Sequence, residues 1–485
     1  MKKSYKNTIF DTFKNGIAQI ILVPLVLLTL PLLTKNLSVE EYGLWGLVFT
    51  TCSLTMPLTS LGLGTAMSRF ISSAKNKKSI SDGFVSVLLV RLILSLFIAV
   101  IIFLYSNKIS NAFFGGNSEI VKITSLFVLI TTLEPLYNRF LRIIRHVKTL
   151  SVLKIVDGYG ALLIYILVFY LGGGLFQLIL AALLFKVSIL IFLIYYLRNR
   201  ISYVFPDFSI LIKFLKYGLP TLPSSMSFWI VNLSDRYFIS FFLGTAAVGI
   251  YSASYSLGNI PRMFSALINF IIMIAISKLY DEGKYDEVKD HLSYALKYFL
   301  MLAIPYVFGS LFMSNSIIKL LTTNEIAEGS SYVTFIVSFA HLILGIYSVF
   351  TYVLLVTKKT KILTFTWIIS LPLNLILNYI FIPYVGIIGA ACTTLVAYLI
   401  AMVYIIYYSN KEFKFNIDWN FIFKSIFSSI MMSIFILYNN PKFNIEIILI
   451  LILSIVIYFT SLFILKAFNE SEINFVKNFY KNKKQ

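Results

Sequence analysis

Acidic residues, cysteines, histidines and long polar stretches are all scarce in this chain of 485 residues, and each scarcity removes a class of chemistry. The two cysteines, Cys52 and Cys392, both lie inside apolar runs, which points to core residues rather than to a disulfide. The three histidines, His146, His291 and His341, are scattered, so no metal-ligand cluster can be assembled and no metal or cofactor is expected. No connection between apolar runs exceeds about twenty residues, which leaves no room for a soluble catalytic or nucleotide-binding domain. The patterns G-x-x-x-x-G-K-[ST], H-E-x-x-H and a strand-helix G-x-G-x-x-G are absent as well, so the chain is not expected to be an enzyme.

What the chain has in abundance is apolar length. Mean hydropathy is +0.86, and fourteen apolar runs cover 9 to 34, 44 to 64, 83 to 105, 122 to 139, 153 to 171, 175 to 197, 217 to 243, 248 to 275, 292 to 314, 331 to 356, 362 to 382, 385 to 408, 419 to 438 and 445 to 466. A helix needs about twenty apolar residues to cross the hydrocarbon of a bilayer, and there it must satisfy its backbone internally. The fold expected is therefore an all-α polytopic membrane protein of about fourteen crossings. The first run carries Asp11, Lys14, Pro24 and Pro31 and no small-residue cleavage site, which favours a retained helix over a removed leader.

Positive charge alternates between the connections. Of 41 Lys and Arg residues, 31 fall at the N-terminus or in the segments 69 to 78, 139 to 154, 198 to 216, 278 to 297, 358 to 361, 411 to 424 and 466 to 484. The intervening connections hold Lys35, Lys108, Lys122, Lys319 and Lys442. By the positive-inside rule both termini are expected in the cytoplasm, as an even number of crossings also requires. A net charge of +20 is thus explained by orientation and by anionic headgroups, and nucleic acid is not an expected partner.

An internal repeat divides the chain. Lys14-Asn15-Gly16 aligns with Lys216-Tyr217-Gly218, and Leu37-x4-Tyr42-Gly43-Leu44-Trp45 with Leu243-x4-Val248-Gly249-Ile250-Tyr251. Farther on, His146-Val147-Lys148-Thr149 parallels Lys358-Lys359-Thr360-Lys361. The expected organisation is an N-lobe over 1–205, a C-lobe over 206–410 and a C-terminal helix pair with tail over 411–485. Six crossings per lobe give both lobes one orientation around a central cavity, the plan of an alternating-access transporter. Prolines bend membrane helices, and Pro220 and Pro223 are the leading candidates for a gate.

Five cations remain inside the runs: Lys14, Arg91, Lys186, Arg236 and Arg262. Each costs roughly 2.5 to 3.5 kcal/mol at a helix centre on insertion scales, so each should face water or a partner. Their acidic company is Asp11, Glu134, Asp157 and Asp235, and the interior leans positive. Lys14 and Asp157 lie close enough to a run's end to snorkel, Arg91 has Glu134 as an alternative partner, and Asp235 and Arg236 point about 100° apart as helix neighbours. A positively lined cavity implies an anionic cargo. Asn232, Asp235, Tyr255 and Asn259 supply polar groups near Arg236 and Arg262, while Glu134 and Asp157 are candidates for ion coupling.

The stretch from 214 to 283 is similar to a known family. Phe214-Leu215-Lys216-Tyr217-Gly218-Leu219-Pro220, Asp235-Arg236-Tyr237-Phe238-Ile239 and Val248-Gly249-Ile250-Tyr251-Ser252-Ala253 resemble the second lobe of Wzx-type polysaccharide flippases. Those flippases belong to the multidrug/oligosaccharidyl-lipid/polysaccharide (MOP) exporter superfamily, and Leu37-Ser38-x-Glu40-Glu41-Tyr42-Gly43 resembles the matching segment of the first lobe. The resemblance implies a MATE-like fold in a bacterial inner membrane. It also implies movement of an undecaprenyl-diphosphate-linked oligosaccharide to the outer leaflet, with membrane lipids, a polysaccharide polymerase and a chain-length regulator as candidate partners. A peptidoglycan lipid II flippase and an ion-coupled multidrug or metabolite exporter are the alternatives. Ile274-Ala275-Ile276-Ser277 departs from the family, which often has a proline there, so that helix is expected to run straighter.

Overall fold

The computed structural model describes residues 21, 22, 24, 25, 27–71, 76–202, 205–439, 444–470 and 472. Lys14 and Asp11 lie outside them, as does most of the run 9 to 34. Among the described residues every regular element is helical. Ten helices among the described residues are long and apolar enough to cross a membrane, or eleven if the bent pair Val39–Ser60 and Leu63–Ile71 is one crossing. Beyond these and the first run, the expected runs 217 to 243 and 248 to 275 are each broken into shorter helices.

The breaks have local causes. Pro220 and Pro223 lack amide hydrogens, and helix α8 (Phe208–Gly218) passes through the tight turn Leu219–Thr221 into α9 (Leu222–Leu233). A second break at Ser234 starts α10 (Asp235–Leu243). Pro261 has the same effect in the next run, where α11 (Thr245–Gly258) gives way at Asn259 to α12 (Ile260–Asp281). Helix α12 then continues unbroken through 274–277, where the family proline is missing.

The chain divides into two compact units. The first holds residues up to Ala253 together with Lys361–Ala397. Its helix α1 (Val39–Ser60) begins at a capping box, in which Ser38 Oγ accepts from the Glu41 amide at 3.1 Å and Glu41 Oε2 from the Ser38 amide at 2.9 Å. This gives the family-like Ser38-x-x-Glu41 segment a physical role. The chain then bends by 54° at Leu61 and Gly62, both left-handed, into α2 (Leu63–Ile71). Helices α3 (Lys77–Leu104) and α5 (Ser118–Ile143), separated by the short α4 (Ser106–Phe113), pack through the Phe84 ring, 4.4 Å from Phe140 and 5.3 Å from Tyr137. Helices α6 (Val147–Tyr170) and α7 (Leu175–Leu197) turn at Gly172, whose φ of +76° favours glycine. Asp207 caps α8 by accepting from the amides of Ser209 and Ile210, and these bonds with the Ser209 hydroxyl hold its carboxyl below the usual range.

The two glycines equated by the repeat, Gly43 and Gly249, meet in this unit. A Cβ on Gly43 would fall on the Thr245 carbonyl oxygen and lie 3.0 Å from the Gly249 amide nitrogen; one on Gly249 would fall on the Val39 carbonyl. Only backbones without side chains approach this closely.

The second unit holds Ser254–Thr360 and residues from Tyr398 onward. Its spine is α13 (Tyr285–Leu321), 37 residues long, which packs on α12, α14 (Asn324–Val356), α17 (Trp419–Asn439) and α18 (Asn444–Ile464). Helix α15 (Thr360–Val385) belongs to the first unit, and α16 (Ile387–Glu412) passes from the first unit into the second. Lys297 on α13, almost fully buried, lies 2.9 Å from Glu472 and 3.3 Å from Asp418, fastening the last helices to the spine.

Candidate functional site

Helix interiors in a membrane admit charge only with partners or water, so the buried ions of the first unit define its candidate site. The break at Ser234 places Asp235 at the start of α10. Its carboxylate, fully shielded from solvent, accepts from the Arg236 amide at 2.9 Å, from Arg236 Nη1 at 3.1 Å and from the Tyr251 hydroxyl. Arg236 also donates to the Asn232 carbonyl at 3.4 Å, and its guanidinium lies 5.5 Å from the centre of the Tyr251 ring. Adjacent residues on a helix diverge by about 100°, yet here they pair. A helix start with its free amides and a long flexible guanidinium bring the two groups together, which settles a pairing that helix spacing alone leaves open. The adjoining Tyr237 bonds Thr51 at 2.6 Å, tying α10 to α1.

A second cluster lies between α5, α6 and α7. Lys186 Nζ stands 3.0 Å from Glu134 Oε2, and 2.7 and 2.8 Å from the two oxygens of Asp157. Asn138 donates to Glu134 at 3.2 Å. Glu134 is thus the partner of Lys186, not of Arg91 as one sequence alternative had it. One ammonium between two carboxylates leaves this cluster net negative when all three are ionised, although the charges inside the runs taken together lean positive.

The remaining predicted residues are dispersed. Arg91 is 6% exposed, and its Nε has no hydrogen-bond partner among the described residues. In the second unit Arg262 is partly buried at the start of α12, one turn from Asn259, whose Oδ1 is without a partner among the described residues. Tyr255 stands with its hydroxyl 3.5 Å from His341 Nε2.

Sequence reasoning missed one buried polar cluster in the first unit. Asn378 donates to Asn374 at 3.2 Å and accepts from the Thr393 hydroxyl, and all three side chains are shielded from solvent. The available signal was two asparagines four residues apart within the run 362 to 382. Among the described residues no group of three His, Cys, Asp or Glu side chains is placed to hold a metal.

Comparison with known proteins places this geometry. The profile of a family described as polysaccharide biosynthesis protein matches residues 32–331. The chain is 24% identical over 228 residues to a probable low-salt glycan biosynthesis flippase, Agl15, of Haloferax volcanii, covering 47% of this chain and 48% of that protein. It is 29% identical over 262 residues to the probable flippase AglR of the same organism, covering 52% and 53%. The chain therefore spans about half the length of these two curated relatives. It spans 81% of an uncharacterized membrane protein of Methanocaldococcus jannaschii at 23% identity. Among solved structures, the lipid II flippase MurJ in an inward closed conformation matches at a TM-score of 0.73 and 18% identity, over 95% of this chain and 98% of that one. An inward-facing MATE family transporter of the MOP superfamily matches at 0.68 and 16%, over 82% and 97%. At these identities the likeness is one of fold: all-helical and MATE-like.

Proposed function

The chain belongs to the polysaccharide biosynthesis protein family, within the MOP superfamily, and from that premise we propose that it is a flippase. Its cargo is an undecaprenyl-diphosphate-linked oligosaccharide, moved from the cytoplasmic to the outer leaflet of a bacterial inner membrane by alternating access. The family match over residues 32–331 carries the reading. Buried cations in apolar helices support it, because a diphosphate crossing hydrocarbon needs charge-assisted partners. No covalent bond changes in such a step, so the protein acts as a carrier and not as an enzyme.

The proposed topology has fourteen crossings with both termini cytoplasmic, in lobes over 1–205 and 206–410 and a helix pair over 411–485. The cargo path is assigned to Lys14, Arg91, Lys186, Arg236 and Arg262, with Asn232, Asp235, Tyr255 and Asn259 as polar company. Pairing divides the labour among these cations. Arg236 is balanced by Asp235, and Lys186 by Glu134 and Asp157, so the latter cluster suits exchange of a proton or metal cation better than capture of an anion. A polymerase and a chain-length regulator would receive the product.

The test is a leaflet assay with purified protein in proteoliposomes, offering in turn a short diphosphate-linked oligosaccharide, lipid II and a cationic drug. Movement of the first with neither of the others supports the reading. Movement of lipid II alone assigns peptidoglycan synthesis, and movement of the drug alone assigns an exporter.

A further inference from the structure

The connection from α7 into α8 leaves apolar groups uncovered beside positive charge. Helix α8 has two apolar sides. Leu211 and Phe214 are buried in the core shared with α2 and α3, the Phe214 ring stacked 5.4 Å from Phe70. On another side Phe208 and Ile212, and Leu219 just past the helix end, are exposed at spacings of four and seven residues, which places them along one stripe. Phe205, ahead of the helix, is 95% exposed although the chain is fastened to α3 on both sides of it. There the Ser202 amide donates to Ser81 Oγ at 2.9 Å, and the Asp207 amide to Ser86 Oγ at 2.8 Å. The 11 residues of α8 are too few to cross hydrocarbon alone.

A groove of about 430 Å³ opens beside Phe205, lined by Val85 and Leu88 of α3, Tyr137 of α5 and Ile194 and Arg198 at the end of α7. The Arg198 guanidinium lies on the exposed Tyr195 ring, 4.0 Å from its centre. Lys213 and Lys216 are exposed on α8. Among the described residues none of these three cations has a carboxylate at salt-bridge distance. The one acidic residue between 198 and 219, Asp207, is engaged in capping α8.

We propose that Phe205, the exposed stripe of α8 and the cations Arg198, Lys213 and Lys216 form a docking site for an anionic phospholipid, with one acyl chain in the groove and the headgroup phosphate against the cations. Leu88 and Ile194 belong to helices long and apolar enough to cross a membrane, so the groove's occupant is apolar where it lies between them and anionic where it meets Arg198. A phospholipid meets both conditions. A protein arriving from water could cover the stripe but not enter between two crossing helices, and free phosphate would leave stripe and groove uncovered. An exposed apolar patch beside unneutralised cations is also the pattern of a helix lying on an anionic bilayer surface. The site rests on the membrane-crossing fold and not on the flippase reading.

The experiment uses the full-length F205W variant in phosphatidylcholine nanodiscs containing a minority lipid brominated on its acyl chains, either phosphatidylglycerol or phosphatidylcholine. Bromine quenches an indole on contact, and the wild type, with four native tryptophans, supplies the background to subtract. Phosphatidylglycerol should quench the indole at position 205 with an apparent affinity about five- to thirty-fold above that of phosphatidylcholine, the range for one to two fully effective cations at a bilayer surface. R198Q/K213Q/K216Q in the same background should bring the two lipids level while quenching persists, and K361Q, at an exposed lysine of another basic connection, should change nothing. If the triple variant does not reconstitute, raising salt from about 0.1 to about 1 M tests the same charges, because the screening length falls from about 10 to about 3 Å; the preference should collapse. Equal quenching by both lipids in F205W shows contact without headgroup choice and overturns the proposal. Quenching by neither shows that something other than lipid covers this face, a partner protein included, and overturns it too. A preference that survives neutralisation of the three cations, by substitution or by salt, removes them from the site and overturns the assignment.

Discussion

Arg236→Ala should destabilise the protein before it can reveal anything about transport. Arg236 is the cationic partner of a carboxylate with no solvent exposure, at 3.1 Å. Removing one member of a buried ion pair costs about 3 kcal/mol, because the other charge is left uncompensated. Neutralising both members together, as Asp235→Asn with Arg236→Ala, should cost only about 1 kcal/mol, since the amide still accepts from Tyr251 and no buried charge is left uncompensated. The coupling energy is then at least about 2 kcal/mol, larger by whatever Asp235→Asn costs alone, and it separates an ion pair from two independent sites. The assay is equilibrium unfolding in mixed micelles across the four-variant cycle, with membrane abundance measured in parallel. A charge held only to meet cargo would give a transport defect at wild-type stability. If Arg236→Ala unfolds like the wild type and the cycle shows no coupling, the pairing account of this site is wrong.

Other predictions concern different parts of the molecule. Gly249→Val should lower stability by about 1 to 3 kcal/mol, read as the unfolding midpoint, because α1 and α11 must separate where a side chain meets the Val39 carbonyl. Lys186→Met should reduce membrane abundance by leaving Glu134 and Asp157 to repel, and the triple change Lys186→Met, Glu134→Gln, Asp157→Asn should restore it. Lys297→Met should release the contact between α13 and Glu472, seen as faster protease cleavage near residue 470 in the purified protein. For topology, a cysteine at Asn117 should react with an impermeant thiol reagent from outside, and one at Gly283 only after permeabilisation; the reverse pattern breaks the proposed orientation.

The helical, membrane-crossing class was legible because hydrocarbon imposes one long apolar period, and ten of the expected runs return as long apolar helices. Gly43 and Gly249, which the repeat reading equates, touch each other. What the sequence did not reveal is pairing. Helix spacing leaves the pairing of Asp235 and Arg236 open, because it does not anticipate a helix beginning at Asp235. It offers Glu134 as one alternative partner for Arg91, because nothing in one dimension says that Lys186 on α7 reaches α5 and α6 together. Asn374 and Asn378 were hidden by their neutrality: an uncharged amide in an apolar run resembles ordinary tolerance of polar groups until its burial is known.

The flippase reading rests most directly on leaflet movement of a lipid-linked diphosphate sugar. The decisive measurement follows a fluorescent undecaprenyl-diphosphate oligosaccharide in sealed proteoliposomes, with a membrane-impermeant quencher reporting the outward leaflet. Protein-dependent movement that is saturable and competed by unlabelled substrate, and is not competed by the same sugar on a single-chain neutral lipid, is the predicted result. Vesicles that scramble the probe no faster with the protein than without it, under an imposed membrane potential and under proton and sodium gradients alike, would contradict the account.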